Sequence, residues 1–127
     1  MIERVGRFLA LRFRKRRRFR ARNGLYAVSE NHIVGNQIGD IGMGGLSFYY
    51  IDNGSRPRKD EYGLTLVTEN KQQKVHLSCK TVCDLEAGQM VSQNRRIKRR
   101  CVSFQRLNRE QKQQLKNIIR DETCGLY

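Results

Sequence analysis

Between Lys74 and Leu85 the side chains alternate one by one, with Val75, Leu77, Cys79, Thr81 and Cys83 on one side. A period of two fits an extended strand with one face on a core, because successive strand side chains point to opposite faces. A helix would scatter the same residues around its circumference. Shorter segments repeat the pattern: Leu25–Ser29, Ile33–Ile41 after an Asn31-His32 turn, Leu46–Ile51, Gly63–Thr68 and Ile97–Leu107. In the third, Leu46, Phe48 and Tyr50 alternate; in the last, Val102 and Phe104 face inward. Gly42–Gly45, Asp52-Asn53-Gly54-Ser55 and Glu69-Asn70 supply turns between them. Residues 56–62, with Pro57, and the polar residues 86–95 read as loops. Short strands at this spacing predict a small barrel or curled antiparallel sheet.

The two ends differ from the middle. Asn108 followed by Gln111 has capping-box spacing, and Leu115, Ile118 and Ile119 form one apolar stripe. A helix over 108–121, packed on the sheet, is predicted. At the start, Ile2, Val5, Leu9 and Phe13 recur every three or four residues, the pattern of a short amphipathic helix over 1–13. Residues 14–22 show no apolar period and read as a basic loop. A length of 127 residues suits one domain, with the barrel over 24–107.

Charge narrows the partners. Lys and Arg number 26 against 12 acidic residues, a net charge of +14 and an isoelectric point near 10.3. Such a balance favours an anionic partner: a nucleotide, nucleic acid, acidic lipid or acidic protein face. The charge is clustered in Arg12–Arg22 and again in Arg95-Arg96-Ile97-Lys98-Arg99-Arg100. The second cluster reads equally well as a solvated face or as a ligand contact. In the first, arginine outnumbers lysine seven to one, and mere solvation does not require guanidinium groups. No apolar run approaches the ~20 residues of a membrane span. The start, broken by Arg4, Arg7 and Arg12, lacks the apolar core of a secretory signal, so a cytoplasmic location is expected.

The cysteines, Cys79, Cys83, Cys101 and Cys124, lack zinc-site spacing, and His32 and His76 are remote from one another. Cys79 and Cys83 share a strand face with Val75, Leu77 and Leu85, so structural, buried thiols are expected, without a metal. No combination of nucleophile and base, paired carboxylates or Walker sequence recurs, so an enzyme is not expected.

Downstream of the arginines stands Asp40-Ile41-Gly42-Met43-Gly44-Gly45. Arginine grips phosphate bidentately and matches the O6/N7 edge of guanine. A carboxylate accepts from guanine N–H donors. Together the segments point to a guanine nucleotide, although Asp and Gly at this spacing also make an ordinary hairpin turn.

The order Arg-x-x-x-Arg, then Asp-x-x-x-x-Gly, then a terminal strand and helix resembles the PilZ domain family. The stretches NGLYAVSEN, GDIGMGGLSFYYID, VHLSCKTVCDL and RRCVSFQRLNREQKQQL carry the likeness from about Arg14 to Ile119. The resemblance implies a mainly β fold: a six-stranded antiparallel split barrel with a C-terminal helix and a basic N-terminal loop. It also implies cyclic di-GMP as ligand, no cofactor, and an unidentified effector protein as partner. Carried over residue by residue, it assigns ligand binding to Arg14, Arg18, Asp40, Gly42 and Gly45, with Arg17 beside them. Alternative registers bring in Arg12, Arg16, Arg20 and Arg22. The family's second motif carries serine where this chain has Gly42. That missing hydroxyl leads to the expectation that Gly42→Ser tightens binding if the turn keeps the family geometry; the alternative is backbone strain and a destabilised fold if residue 42 has positive φ. Two other readings stand: an adaptor of the same fold that binds no nucleotide, and a nucleic-acid-binding barrel stacking bases on Tyr26, Phe48, Tyr49 and Tyr50. The nucleic-acid reading ranks last, because alternating aromatics more often fill a core.

Overall fold

The computed structural model describes residues 17–29, 35–52, 61–70, 72–92 and 95–126. The expected N-terminal helix, 1–13, and the candidate ligands Arg14 and Arg16 lie outside the described residues. The described strands are β1 (Arg18–Ala21), β2 (Leu25–Ser29), β3 (Asn36–Gly42), β4 (Gly45–Asp52), β5 (Glu61–Thr68), β6 (Lys74–Ser92) and β7 (Arg95–Phe104). Helix α1 (Arg109–Glu122) and strand β8 (Thr123–Leu126) follow. The sheet order is β2-β5-β6-β7-β4-β3-β1-β8, and a further pairing of β2 with β3 closes β2–β7 into an antiparallel barrel. The mainly β, six-stranded barrel with a C-terminal helix expected from the sequence is the fold observed.

The alternating residues fill the barrel. Leu25, Ala27, Ile38, Ile41, Leu46, Phe48, Leu64, Leu66, Val75, Leu77, Cys79 and Val102 form the core, joined by Leu115 and Ile118 from α1. The helix starts as its capping box requires: Gln111 N donates to Asn108 Oδ1 at 2.7 Å, and Asn108 N to Gln111 Oε1 at 2.9 Å. Gln111 Nε2 also donates to the His76 carbonyl at 2.8 Å, fixing α1 against β6.

One strand edge is shared, and this positions the basic segment. Asn36 and Gln37 of β3 pair with Ala27 and Tyr26 of β2. Further along the same strand, Asp40, Ile41 and Gly42 pair with Arg20, Phe19 and Arg18 of β1. Between β1 and β2 the chain turns at Gly24, whose φ of 100° suits glycine.

The structure departs from the sequence reading in four places. The second half of the supposed basic loop is strand β1; Arg18-Phe19-Arg20-Ala21 alternates, and backbone pairing to β3 replaces the missing apolar run. Most of 86–95 is strand, not loop: β6 continues to Ser92 and β7 begins at Arg95. This extension continues the β6–β7 ladder, with Glu86, Met90 and Ser92 opposite Lys98, Arg96 and Arg95, and Glu86 meets Arg96 at 3.7 Å. Strand β7 ends at Phe104 and is not the last, because β8 follows α1 and pairs with β1. Finally, Cys79 and Cys83 do not share a face. A register shift between Thr81 and Cys83 turns the later residues over, so Cys79 is buried while Leu85 is half exposed. Cys83 and Cys101 are half-buried and Cys124 is exposed, so the expectation of buried thiols holds for Cys79.

Candidate functional site

The site is built on the bulged strand β3. Ile38 and Ile41 both reach the core although they are three apart, an odd spacing that a regular strand cannot bury on one face. The register shift between Ile38 and Asp40 resolves this, and it sets Asp40 opposite Ser47 on the outer wall. Asp40 is nevertheless only 1 % exposed, because neighbouring side chains close over it.

A buried carboxylate is costly unless it is paired and hydrogen-bonded. Here Ser47 Oγ donates to Asp40 Oδ1. Arg99 Nη2 donates to the same oxygen at 3.0 Å, and Arg99 Nε donates to Ser47 Oγ at 2.9 Å. Arg18 Nη1 approaches the other carboxylate oxygen at 3.4 Å. Two guanidinium groups therefore converge on one carboxylate, and the cluster keeps a net positive charge. The Arg99 guanidinium also lies over Tyr49, 5.9 Å from the ring centroid.

The glycine turn is part of the same construction. A Cβ on Gly42 would collide with the Arg17 carbonyl oxygen. A Cβ on Gly45 would collide with the Val102 carbonyl oxygen and come within 2.9 Å of Arg18 Nη2. Both glycines let chain segments close on the turn and let the Arg18 guanidinium lie across it. No positive φ is involved at either position.

The structure thus brings Arg17, Arg18, Asp40, Gly42 and Gly45 together. Arg20 pairs in register with Asp40 but its side chain is exposed, and Arg22 is exposed where β1 ends. Ser47, Tyr49 and Arg99 join the site without having been singled out for it. Their signal was weak: Ser47 is a lone polar residue between Leu46 and Phe48, and Arg99 is one cation in a run of five.

That second basic run is mostly neutralised. Arg100 faces the barrel interior beside Phe48 and donates to Asp84 through Nε at 2.9 Å and Nη2 at 3.4 Å. Tyr50 donates to Asp84 Oδ1 at 3.0 Å and lies under the Arg100 guanidinium. Burial raises the Tyr50 pKa, with Asp84 adding to the rise and the Arg100 charge opposing it. For Arg100, burial works against the charge, but hydrogen bonds to Asp84 and Tyr62 outweigh it and the pKa rises. Arg96, Lys98, Arg99 and Arg100 thus pair with Glu86, Asp52, Asp40 and Asp84. Of these four, Arg99 is the one directed to the Asp40 site.

Among the described residues no group of three or more His, Cys, Asp or Glu side chains is arranged to hold a metal. No described helix is long and apolar enough to cross a membrane. No protein-family profile, curated protein or solved structure matches the chain.

Proposed function

We propose that the chain is a PilZ-like receptor for cyclic di-GMP that passes the binding event to an effector protein. The observation that carries this reading is the convergence of Arg18 and Arg99 on Asp40 beside the Gly42–Gly45 turn. The cluster offers planar guanidinium donors for phosphate and for the guanine O6/N7 edge, and a carboxylate for guanine N–H groups. The Arg18 contact to Asp40 is the longer of the two, 3.4 Å against 3.0 Å. Arg18 is the arginine carried by β1, so it turns to a ligand phosphate as β1 shifts, while Arg99 and Ser47 keep the carboxylate in place. Binding then shifts the seating of β1 on β3, which passes the event to the effector.

A second reading is supported by two observations. The Arg17 backbone, immediately before β1, fills the space in which a side chain at residue 42 would stand. In addition, Ile51 of β4 and Val82 and Leu85 of β6 are large, apolar and exposed. Both suit an adaptor that meets a protein and takes no nucleotide.

Binding of a fluorescently labelled cyclic di-GMP, followed by polarisation across a salt series, tests the proposal. Saturable binding that unlabelled cyclic di-GMP displaces and GTP does not, with a shallow salt dependence, supports the receptor. Absent binding favours the adaptor. Preferential binding of a single-stranded oligonucleotide, falling steeply with salt, favours the nucleic-acid barrel.

A further inference from the structure

The thiols of Cys83 and Cys101 form a pair that the nucleotide reading does not use. They are direct cross-strand partners of β6 and β7, immediately after the register shift at Thr81 and Cys83. Cys101 is in turn the partner of Ser47 on β4, and Ser47 that of Asp40 on β3. A single lateral row across the outer wall thus runs Asp40, Ser47, Cys101, Cys83.

We propose that Cys83 and Cys101 are a redox-responsive dithiol that closes to a disulfide when a peroxide reaches the outer wall of the barrel. This holds whether or not the neighbouring cluster binds a nucleotide. Directly opposed residues of antiparallel strands have Cα atoms ~4.5–5.5 Å apart. A disulfide accepts Cα separations of ~4.4–6.8 Å, a range that covers this strand-pair spacing. The register shift leaves one residue of β6 outside the regular ladder, which gives Cys83 room to close the remaining distance. Both side chains are half-buried, so a small oxidant reaches them. The other cysteines lack this arrangement. Cys79 is buried in the core opposite Phe104, and Cys124 lies on β8, at the end of the sheet order.

The chemistry balances with one hydrogen peroxide. One sulfur of the pair attacks one peroxide oxygen, the O–O bond breaks, and the departing hydroxide takes the thiol proton to leave as water. The other sulfur then attacks the sulfenic acid so formed, the S–S bond forms, and the S–O bond breaks. The hydroxyl leaves as a second water with the second thiol's proton. Two electrons pass from the thiols to the peroxide. A small dithiol reductant reverses the closure by thiol–disulfide exchange.

The test is stoichiometric hydrogen peroxide on the full-length folded protein, followed by alkylation, non-reducing digestion and mass spectrometry. The expected result is one intramolecular link, Cys83 to Cys101, reversed by dithiothreitol, with Cys79 still reduced. Cys101→Ser and Cys83→Ser should each abolish the intramolecular link, leaving the remaining cysteine of the pair to be trapped as a sulfenic acid by dimedone. Oxidation confined to Cys124, or links scattered over all four cysteines in protein whose circular dichroism is native, would overturn the proposal. So would a Cys83 and Cys101 pair that stays reduced while Cys124 reacts. The wild-type peptide map decides even where a serine variant fails to fold.

Discussion

At the scale of single residues, Asp40 holds most of the site together. It is a buried anion balanced by Arg18, Arg99 and Ser47. Removing it leaves two guanidinium groups facing each other with their common partner gone. Asp40→Ala should therefore lower stability by about 3–5 kcal/mol, as when one member of a buried ion pair is deleted. Urea unfolding measures this, and a loss under 1 kcal/mol would show that solvent already screens the cluster. Cys79 supports a second prediction at this scale. Burial pushes its thiol up to about 12. The folded state thus keeps a proton that the unfolded chain releases near pH 8.5. The stability associated with the neutral thiol is fully present below that pH and is lost as pH rises towards 12. Stability should fall across this alkaline window, and less steeply in Cys79→Ala; equal slopes in urea titrations at several pH values would contradict the assignment. Of the site residues, Arg18, Asp40 and Gly45 were legible in the sequence because a linear motif contains them. Ser47 and Arg99 were not, because they meet Asp40 only through strand register across β3, β4 and β7.

At the scale of elements, the alternating strands and the capped helix could be read directly, since their signals are local. Helix α1 begins within a residue of the expected start because Asn108 and Gln111 satisfy each other's backbone partners. Strand β1 and the outer half of β6 could not be read the same way. The first is held by the stretch of β3 edge that it pairs with, and the second continues the β6–β7 ladder, so strand pairing rather than a long apolar period places both. The turn at Gly42 shows the consequence most sharply. A serine there was expected to restore a ligand hydrogen bond, with backbone strain as the alternative. The obstacle is instead the Arg17 carbonyl oxygen, which occupies the place of a Cβ. Gly42→Ser should displace β1 from β3 and cost about 1–3 kcal/mol, the range for overpacking a close contact. Amide exchange should report it as lost protection confined to Arg18–Ala21 and their β3 partners. An unchanged melting temperature with unchanged protection would show that β1 accommodates the side chain.

At the scale of the whole molecule, the chain is a barrel carrying a strongly positive charge whose distribution is uneven. The Arg95–Arg100 run is largely neutralised by Asp40, Asp52, Asp84 and Glu86. Exposed Arg17, Arg20 and Arg22 around β1 extend positive charge to the rim of the Asp40 cluster. The total charge suggested an anionic partner, but composition does not reveal where on the barrel it would bind. Register decides that, by setting Arg18 and Arg99 on either side of one carboxylate. The most direct test is calorimetric titration of the wild-type protein and of Arg18→Ala with cyclic di-GMP at physiological ionic strength. The wild type should bind saturably, and Arg18→Ala should lose about 1.5–3 kcal/mol, the worth of hydrogen bonds to a charged group. Absence of binding to the wild type, or equal affinity in the two proteins, would overturn the assignment of the Asp40 cluster as a cyclic di-GMP site.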